Sequence, residues 1–216
     1  MNGQQVDLSF IIPCYNLEGY IDKLLLSFYM IEFGPYTLEF IFILDHCDDD
    51  TENIIRDYMG EANYKIIKGN YYSCGLARNA GMEEATGRYI WFVDGDDWLI
   101  YPKTARECIE VCDDRELDMI KLPWISNFYY EDRDDMVWQY IFSHDLIKDI
   151  HFRAEQPGED GDFMNKVIEK RGSKDVITYK IPSYFYNYNR PGSNMTLHNM
   201  KKYHETEKRL SKFDLS

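Results

Sequence analysis

Basic side chains are scarce in this chain. Its 216 residues carry 24 Lys and Arg against 38 Asp and Glu, a formal net charge of −14. That surplus argues against broad, non-specific binding to nucleic acid or anionic membrane, and it suits a protein that offsets some charge with a divalent metal. Long apolar runs are missing too: none approaches ~18 residues, so no membrane span is expected. The N-terminus has no basic stretch followed by an apolar one, so no signal peptide is expected, and the expected location is cytoplasmic. Cysteine is sparse. Cys14, Cys47, Cys74, Cys108 and Cys112 are an odd set without a CxxC pair. They are expected to be free thiols in a reducing compartment, with Cys108 and Cys112 marking a helix face at i, i+4. Repeats, low-complexity tracts and Pro/Gly/Ser linkers are absent, which implies one continuous unit.

What is present suffices for a core: 44% of residues are hydrophobic and 16% aromatic. Through roughly the first 125 residues, short apolar runs alternate with stretches of helical periodicity. Leu8–Ile12, Leu38–Leu44, Tyr64–Lys68, Arg88–Val93 and "LDMIKLPWI" are expected strands. "NLEGYIDKLLLSFYMI" is an expected helix with Ile21, Leu24, Leu25 and Phe28 inward, and "DTENIIRDYM" another with Ile54, Ile55 and Tyr58 inward. "LARNAGMEEAT" and "YPKTARECIEVCDD" complete the alternation. It predicts an α/β fold: a single Rossmann-like domain, a mostly parallel central sheet and flanking helices. Past about Asn127 the chain turns aromatic and acidic, with helices expected at "SHDLIKDI" and about Gly161–Lys170 and strands in "VITYKIPSYFYNYNR". A short C-terminal helix is expected over 197–216. Met200, Tyr203, Leu210 and Phe213 lie near one face, among Lys201, Lys202, Lys208, Arg209 and Lys212. Packing on its own domain, a homodimer contact and a peripheral membrane contact are all open to that helix.

Polar clusters fall where the strands end, which is where ligands bind in such sheets. "PCYN" follows the first strand, "DHCDDD" the second and "DGDD" the fourth. Asp94 and Asp96 are two apart, so in extended geometry they point to one side. Carboxylates held together repel unless a hard cation such as Mg²⁺ or Mn²⁺ joins them to phosphate oxygens. The plainer reading is a solvated acidic turn. Asp45–Glu52 is not an EF-hand: position six is Asp50 and position twelve is Arg56. Asp45 is expected to face a ligand and accept a nucleobase or ribose hydrogen bond, while Asp49, Asp50 and Thr51 cap the next helix. Arg78 and Asn79, expected at a helix opening, offer a cation that neutralises a phosphate or holds the aspartates in place. "GED" (Gly158–Asp160) starts a helix whose dipole favours an ionised carboxylate, and such a carboxylate can take a proton from a sugar hydroxyl.

Together these pieces resemble the family 2 glycosyltransferases, with a GT-A fold, over about Leu8 to Ser193. "SFIIPCYN" is similar to the family's opening strand and Pro-x-Tyr-Asn turn, and "FILDHCDDDTENII" to its second strand and Asp-rich turn. "GLARNAGMEEATGRYIWFVDGDDWL" is similar to its most specific stretch, ending in the Asp-x-Asp motif. "PGEDGDF" resembles its Glu-Asp motif and "YNYNRPGSNM" its closing Tyr-x-Tyr segment. The resemblance implies an inverting transferase that uses Mn²⁺ or Mg²⁺ and a nucleotide-diphosphate sugar, with a UDP-sugar favoured. Residues 1–125 would be the nucleotide-sugar-binding half and 126–196 the acceptor-binding and catalytic half. Pro13, Tyr15 and Asn16 would border the nucleotide and Asp45 its base. Arg78 would lie near the diphosphate, Asp94 at the ribose and Asp96 on the metal. Asp160 would be the general base with Glu159 in support. Arg190 and Ser193 would close over the diphosphate. The acceptor would be a glycan, a lipid-linked sugar or another hydroxyl compound. One departure stands out: where the family's second-strand turn reads Asp-Asp-Gly-Ser-x-Asp, this chain has His46 for a carboxylate and Cys47 for a glycine. It leaves the identity of the base open. Two other readings remain. A nucleotidyltransferase would carry a Gly-rich, basic loop where "PCYNLEGY" stands. A non-catalytic sugar-nucleotide-binding protein would not need both Asp96 and Asp160.

Overall fold

Apolar runs set the central strands. β1 (Leu8–Cys14) and β2 (Leu38–Asp45) are buried at every position, as strands covered on both faces must be. α1 (Ile21–Tyr29), between them, buries Ile21, Leu24, Leu25 and Phe28, the expected stripe. α2 (Thr51–Met59) turns Thr51, Ile55 and Met59 inward. Tyr58, expected to face the core, is 49% exposed. The buried stripe runs at i, i+4, i+8, and position 58 lies about 60° from its centre, at the edge of the stripe. The chain continues through β3 (Tyr64–Gly69), α3 (Cys74–Glu84), β4 (Tyr89–Phe92), β5 (Trp98–Leu99), α4 (Thr104–Arg115), β6 (Met119–Lys121) and β7 (Trp124–Ser126). A 3₁₀ turn (Val137–Gln139) leads into β8 (Tyr140–Ser143), α5 (His144–Ile147), α6 (Glu159–Arg171), β9 (Ile177–Thr178) and β10 (Tyr184–Tyr186). This computed structural model describes residues 5–127, 135–155 and 157–188. Arg190, Ser193 and the helix expected over 197–216 lie outside them.

The large sheet has the order β3-β2-β1-β4-β8-β6-β9. Its pairs are parallel except those of β8, which runs antiparallel to both β4 and β6. "LDMIKLPWI", expected as one strand, is two. Pro123 has no N–H to extend a ladder, and the chain leaves the large sheet there. β6 stays behind, while β7 joins β10 and β5 in a second, three-stranded sheet. Alternation along β1 divides the core. Leu8, Phe10 and Ile12 pack with α1, α2 and α4 on one face, while Ile11, with Ile41 and Ile43 of β2, packs with α3, α5 and α6 on the other.

The connections step outward from β1 to β2 and β3 on one side, and reach β4 on the other. The order therefore reverses between β1 and β4, which opens a crevice at their carboxyl ends. All five cysteines are free thiols, and Cys108 and Cys112 share the buried face of α4. Among the described residues no helix is long and apolar enough to cross a membrane.

Candidate active site

Asp94 and Asp96 do not ride on a strand. β4 stops at Phe92, and the Asp97 N–H donates to the Asp94 carbonyl at 3.1 Å. Residues 94–97 are thus a turn, so both carboxylates are carried on a turn rather than by strand alternation. Gly95 is required there: a Cβ would run into Leu17 and stand 3.2 Å from the Pro13 carbonyl. The turn is fastened from behind. The Tyr184 hydroxyl accepts from the Asp94 N–H at 3.0 Å and donates to Asp97 Oδ2 at 2.7 Å. Asn187 donates its backbone N–H to Asp97 Oδ1 at 2.7 Å and its Nδ2 to the Asp96 carbonyl at 3.2 Å. Asp97 is fully buried; burial, then the charges of Asp96 and Asp94, push its carboxyl well above the usual range. Asp97, Tyr184 and Asn187 had no role in the sequence reading. The available signal was a third aspartate beside the motif, with a tyrosine-rich strand to meet it.

Arg78 joins the two halves of the site. It lies in the second turn of α3, not at its opening: Ser73 caps that helix, its Oγ accepting from the Leu76 N–H. The Arg78 side chain is 3% exposed. Its Nη2 donates to Asp94 Oδ1 at 2.7 Å and its Nη1 to Asp160 Oδ1 at 2.8 Å, with Glu159 Oε1 at 4.0 Å. A buried cation is tolerable when carboxylates satisfy it on more than one side. Of the two roles open to Arg78, this geometry fills that of holding the aspartates. Asn79 locks the neighbouring segment, donating Nδ2 to the Phe152 carbonyl and accepting the Phe152 N–H at Oδ1, both at 2.9 Å. That clamp carries the chain up to Gly158, where α6 begins with Glu159 and Asp160.

Asp160 departs from expectation in its charge. A helix start favours the ionised form, but the side chain is buried, and burial pushes its pKa up to about 7. Arg78 pulls against that shift, the Asp94 and Glu159 charges add to it, and the Val137 N–H, 3.4 Å from Oδ2, opposes it. Desolvation outweighs the dipole here. The outcome is a carboxyl poised near neutrality, the range in which a proton acceptor is most effective.

The loops after β1, β2 and β3 form the opposite rim. Pro13 is buried within β1 beside Ile43, while Tyr15 is 51% exposed. Asn16 and Asp48 pair through Nδ2 to Oδ1 at 2.5 Å and the Asp48 N–H to Asn16 Oδ1 at 3.0 Å. Asp49 does not cap α2 from the N-cap position, which Asp50 occupies without a side-chain bond to the helix backbone. Asp49 instead accepts from the Thr51 N–H and hydroxyl at Oδ1 and from the Glu18 N–H at Oδ2, which stitches two loops together. Asp45 is nearly buried. Its Oδ1 accepts the N–H groups of Tyr71 (2.6 Å) and Tyr72 (3.0 Å) and meets His46 Nδ1 at 2.8 Å, while Oδ2 accepts the Ser73 N–H at 3.2 Å. A hollow of about 470 Å³ between α1 and residues 98–102 is apolar and includes none of these carboxylates.

Among the described residues no group of three or more His, Cys, Asp or Glu could hold a metal ion. Mg²⁺ and Mn²⁺ need fewer protein ligands when water and phosphate oxygens complete the shell. Two carboxylates presented on one turn fit that mode of binding, with Asp96 and Asp94 as the residues that would take part.

Known proteins share this plan. The chain is 31% identical over 114 residues to the poly(ribitol-phosphate) beta-N-acetylglucosaminyltransferase TarS of Staphylococcus aureus, covering 52% of this chain and 20% of TarS. It is 26% identical over 214 residues to the minor teichoic acid biosynthesis protein GgaB of Bacillus subtilis, covering 87% of this chain and 23% of GgaB. The chain thus spans about a fifth to a quarter of the length of these relatives. In structure it is similar to S. aureus TarS 1–349 in complex with UDP-GlcNAc, with a TM-score of 0.79 at 23% identity over 88% of this chain and 61% of that one. It is also similar to the mannosyltransferase PcManGT of Pyrobaculum calidifontis in complex with GDP-Man and Mn²⁺, with a TM-score of 0.70 at 14% identity over 88% and 59%. These likenesses show the GT-A fold. The profile of Glycosyl transferase family 2 matches residues 9–170, three quarters of the chain, and the chain belongs to that family.

Proposed function

We propose that this chain transfers a sugar from a nucleoside-diphosphate donor to an acceptor hydroxyl, with inversion at the anomeric carbon and with Mn²⁺ or Mg²⁺ as cofactor. One observation carries the reading: buried Arg78 holds Asp94 and Asp160, distant from each other in sequence, on the two ends of one guanidinium. That places a carboxyl with a pKa of about 7 beside the turn suited to metal and diphosphate. Pro13, Tyr15 and Asn16 border the nucleotide in this reading, Asp45 its base and Asp94 its ribose. Asp96 holds the metal, with Asp94 nearby. When bound, the metal neutralises charge that develops on the leaving diphosphate. Asp160 accepts the proton of the attacking hydroxyl on the opposite face, and Glu159 supports it through the shared arginine. Arg190 and Ser193 are proposed to close over the diphosphate. UDP-sugars are favoured as donors, in keeping with the UDP-GlcNAc complex of TarS. The names of TarS and GgaB concern poly(ribitol-phosphate) and teichoic acid, which supports an acceptor hydroxyl carried on such a polymer.

The test is donor turnover across a panel of UDP-sugars, with polyol-phosphate and glycan acceptors, in Mn²⁺, in Mg²⁺ and in excess EDTA. Transfer is expected with a divalent ion and is expected to vanish in EDTA. Undiminished transfer in EDTA would remove the metal from the mechanism. Turnover that is the same with Asp160 replaced by Asn would remove the base.

A further inference from the structure

His46 lies between two tyrosines. Its ring centroid is 4.4 Å from that of Tyr15 and 4.3 Å from that of Tyr72, with tilts of 32° and 35°. The three rings come from the loops after β1, β2 and β3, which are neighbours at the carboxyl edge of the sheet. The backbone is bent to bring them there. Asn16, His46 and Tyr72 have φ of 46°, 45° and 52°; with Glu116 they are the non-glycine residues of positive φ among those described. Such conformations cost free energy for residues with a Cβ and gather where a ligand is held. Both tyrosines are largely exposed, Tyr72 at 73%, so nothing in the core demands this stack.

The imidazole also occupies Asp45. Oδ1 of that carboxylate meets three donor groups, the Tyr71 and Tyr72 amides and His46 Nδ1, although an oxygen offers about two lone-pair directions. The amides belong to the backbone and stay. The imidazole is the partner that a side-chain rotation removes.

We propose that His46 is a built-in occupant of the nucleobase subsite: its imidazole fills the slot between Tyr15 and Tyr72, and the donor's base must displace it to bind. The inference rests on the donor-binding reading above and deepens it. A flat, aromatic imidazole against two rings stands in for a flat, aromatic base, and base stacking on such side chains is a general source of nucleotide affinity. One rotation of His46 frees both the slot and a lone pair of Asp45. The ligand that gains from both presents a ring N–H at its edge, as uracil does at N3. Adenine, whose N1 is an acceptor, does not.

The experiment is calorimetric titration of the wild type and His46→Gly with UDP and Mn²⁺, with inorganic pyrophosphate and Mn²⁺ as the base-free control. Glycine suits the positive φ at this position, so the variant should fold. His46→Gly is expected to bind UDP about 2- to 12-fold more tightly, the range set by one aromatic pair, and to bind pyrophosphate as the wild type does. Adding Tyr72→Ala to that variant is expected to reverse the gain. Unchanged or weaker UDP binding by His46→Gly would overturn the plug while leaving the donor reading intact. An equal gain for pyrophosphate would also overturn it, since the base would then play no part. If neither protein binds UDP, GDP or CDP with Mn²⁺, the plug and the donor reading fall together.

Discussion

At the scale of single residues, the proposed chemistry turns on Asp160 and Arg78. Asp160→Asn keeps the size of the side chain and its ability to bond, and removes the proton acceptor. General-base catalysis typically contributes on the order of 10²–10⁴-fold. Transfer is expected to fall by about that factor while UDP and Mn²⁺ bind almost as before; transfer near the wild-type rate would move the base to Glu159 or Asp162. The wild type also has a pH signature. Burial raises the Asp160 pKa to about 7, so the ionised, proton-accepting form is present above that pH and lost below it. kcat/KM should therefore rise through about pH 7, a limb absent in Asp160→Asn. Arg78 pulls that pKa down, so Arg78→Lys, which replaces a two-ended fork with a single point charge, should move the limb to higher pH. An unmoved limb would mean that the ion pair does not tune Asp160. Some of this was legible in the sequence. Asp94 and Asp96 are read there from the end of an apolar run, Asp160 from a helix start, and all three from the family resemblance. The direction of the Asp160 shift was not, because burial by residues far along the chain decides it and no local pattern records that.

At the scale of elements, the strands that build the crevice were the easiest to read. β1, β2 and β4 are short apolar runs, and their carboxyl ends carry the polar clusters. The split of β6 from β7 at Pro123 and the pairing of β10 with β5 were harder. Two- and three-residue strands leave no periodicity to detect. Yet β10 matters to the site, because Tyr184 sends its hydroxyl between the Asp94 amide and the Asp97 carboxylate. Tyr184→Phe preserves the ring that stacks on Trp138 at 4.7 Å and deletes only that bridge. A buried amide and a buried carboxylate oxygen each lose a partner, a loss of about 1–3 kcal/mol. For a chain of this length that corresponds to a fall in Tm of roughly 2–12 °C. UDP affinity in Mn²⁺ should weaken too, since the turn that presents Asp94 and Asp96 loses its fastening. Unchanged Tm and unchanged affinity would show that the hydroxyl does not hold the turn.

On the scale of the whole molecule, the excess of acid becomes intelligible through linkage. Asp94, Asp96 and Asp97 crowd one turn of a chain with net charge −14, and their mutual repulsion is part of what drives the Asp97 pKa upward. In the proposed site a divalent cation would relieve that repulsion and a diphosphate would offer it further oxygen ligands, so each should favour binding of the other. Ligands that bind only the folded state stabilise it by RT ln(1 + [L]/Kd), about 2.7 kcal/mol at a hundred times Kd. In a chain of this length that is a rise in Tm of roughly 5–11 °C. UDP with Mn²⁺ should give a shift of that order, and either alone much less. Asp96→Ala supplies the control. It removes one of the charges that destabilise ionised Asp97, so the metal-free Tm should hold or rise, while the joint shift from UDP and Mn²⁺ should collapse. A joint shift that persists in Asp96→Ala would place the cation elsewhere. A large fall in its metal-free Tm would make Asp96 a structural residue rather than a metal ligand.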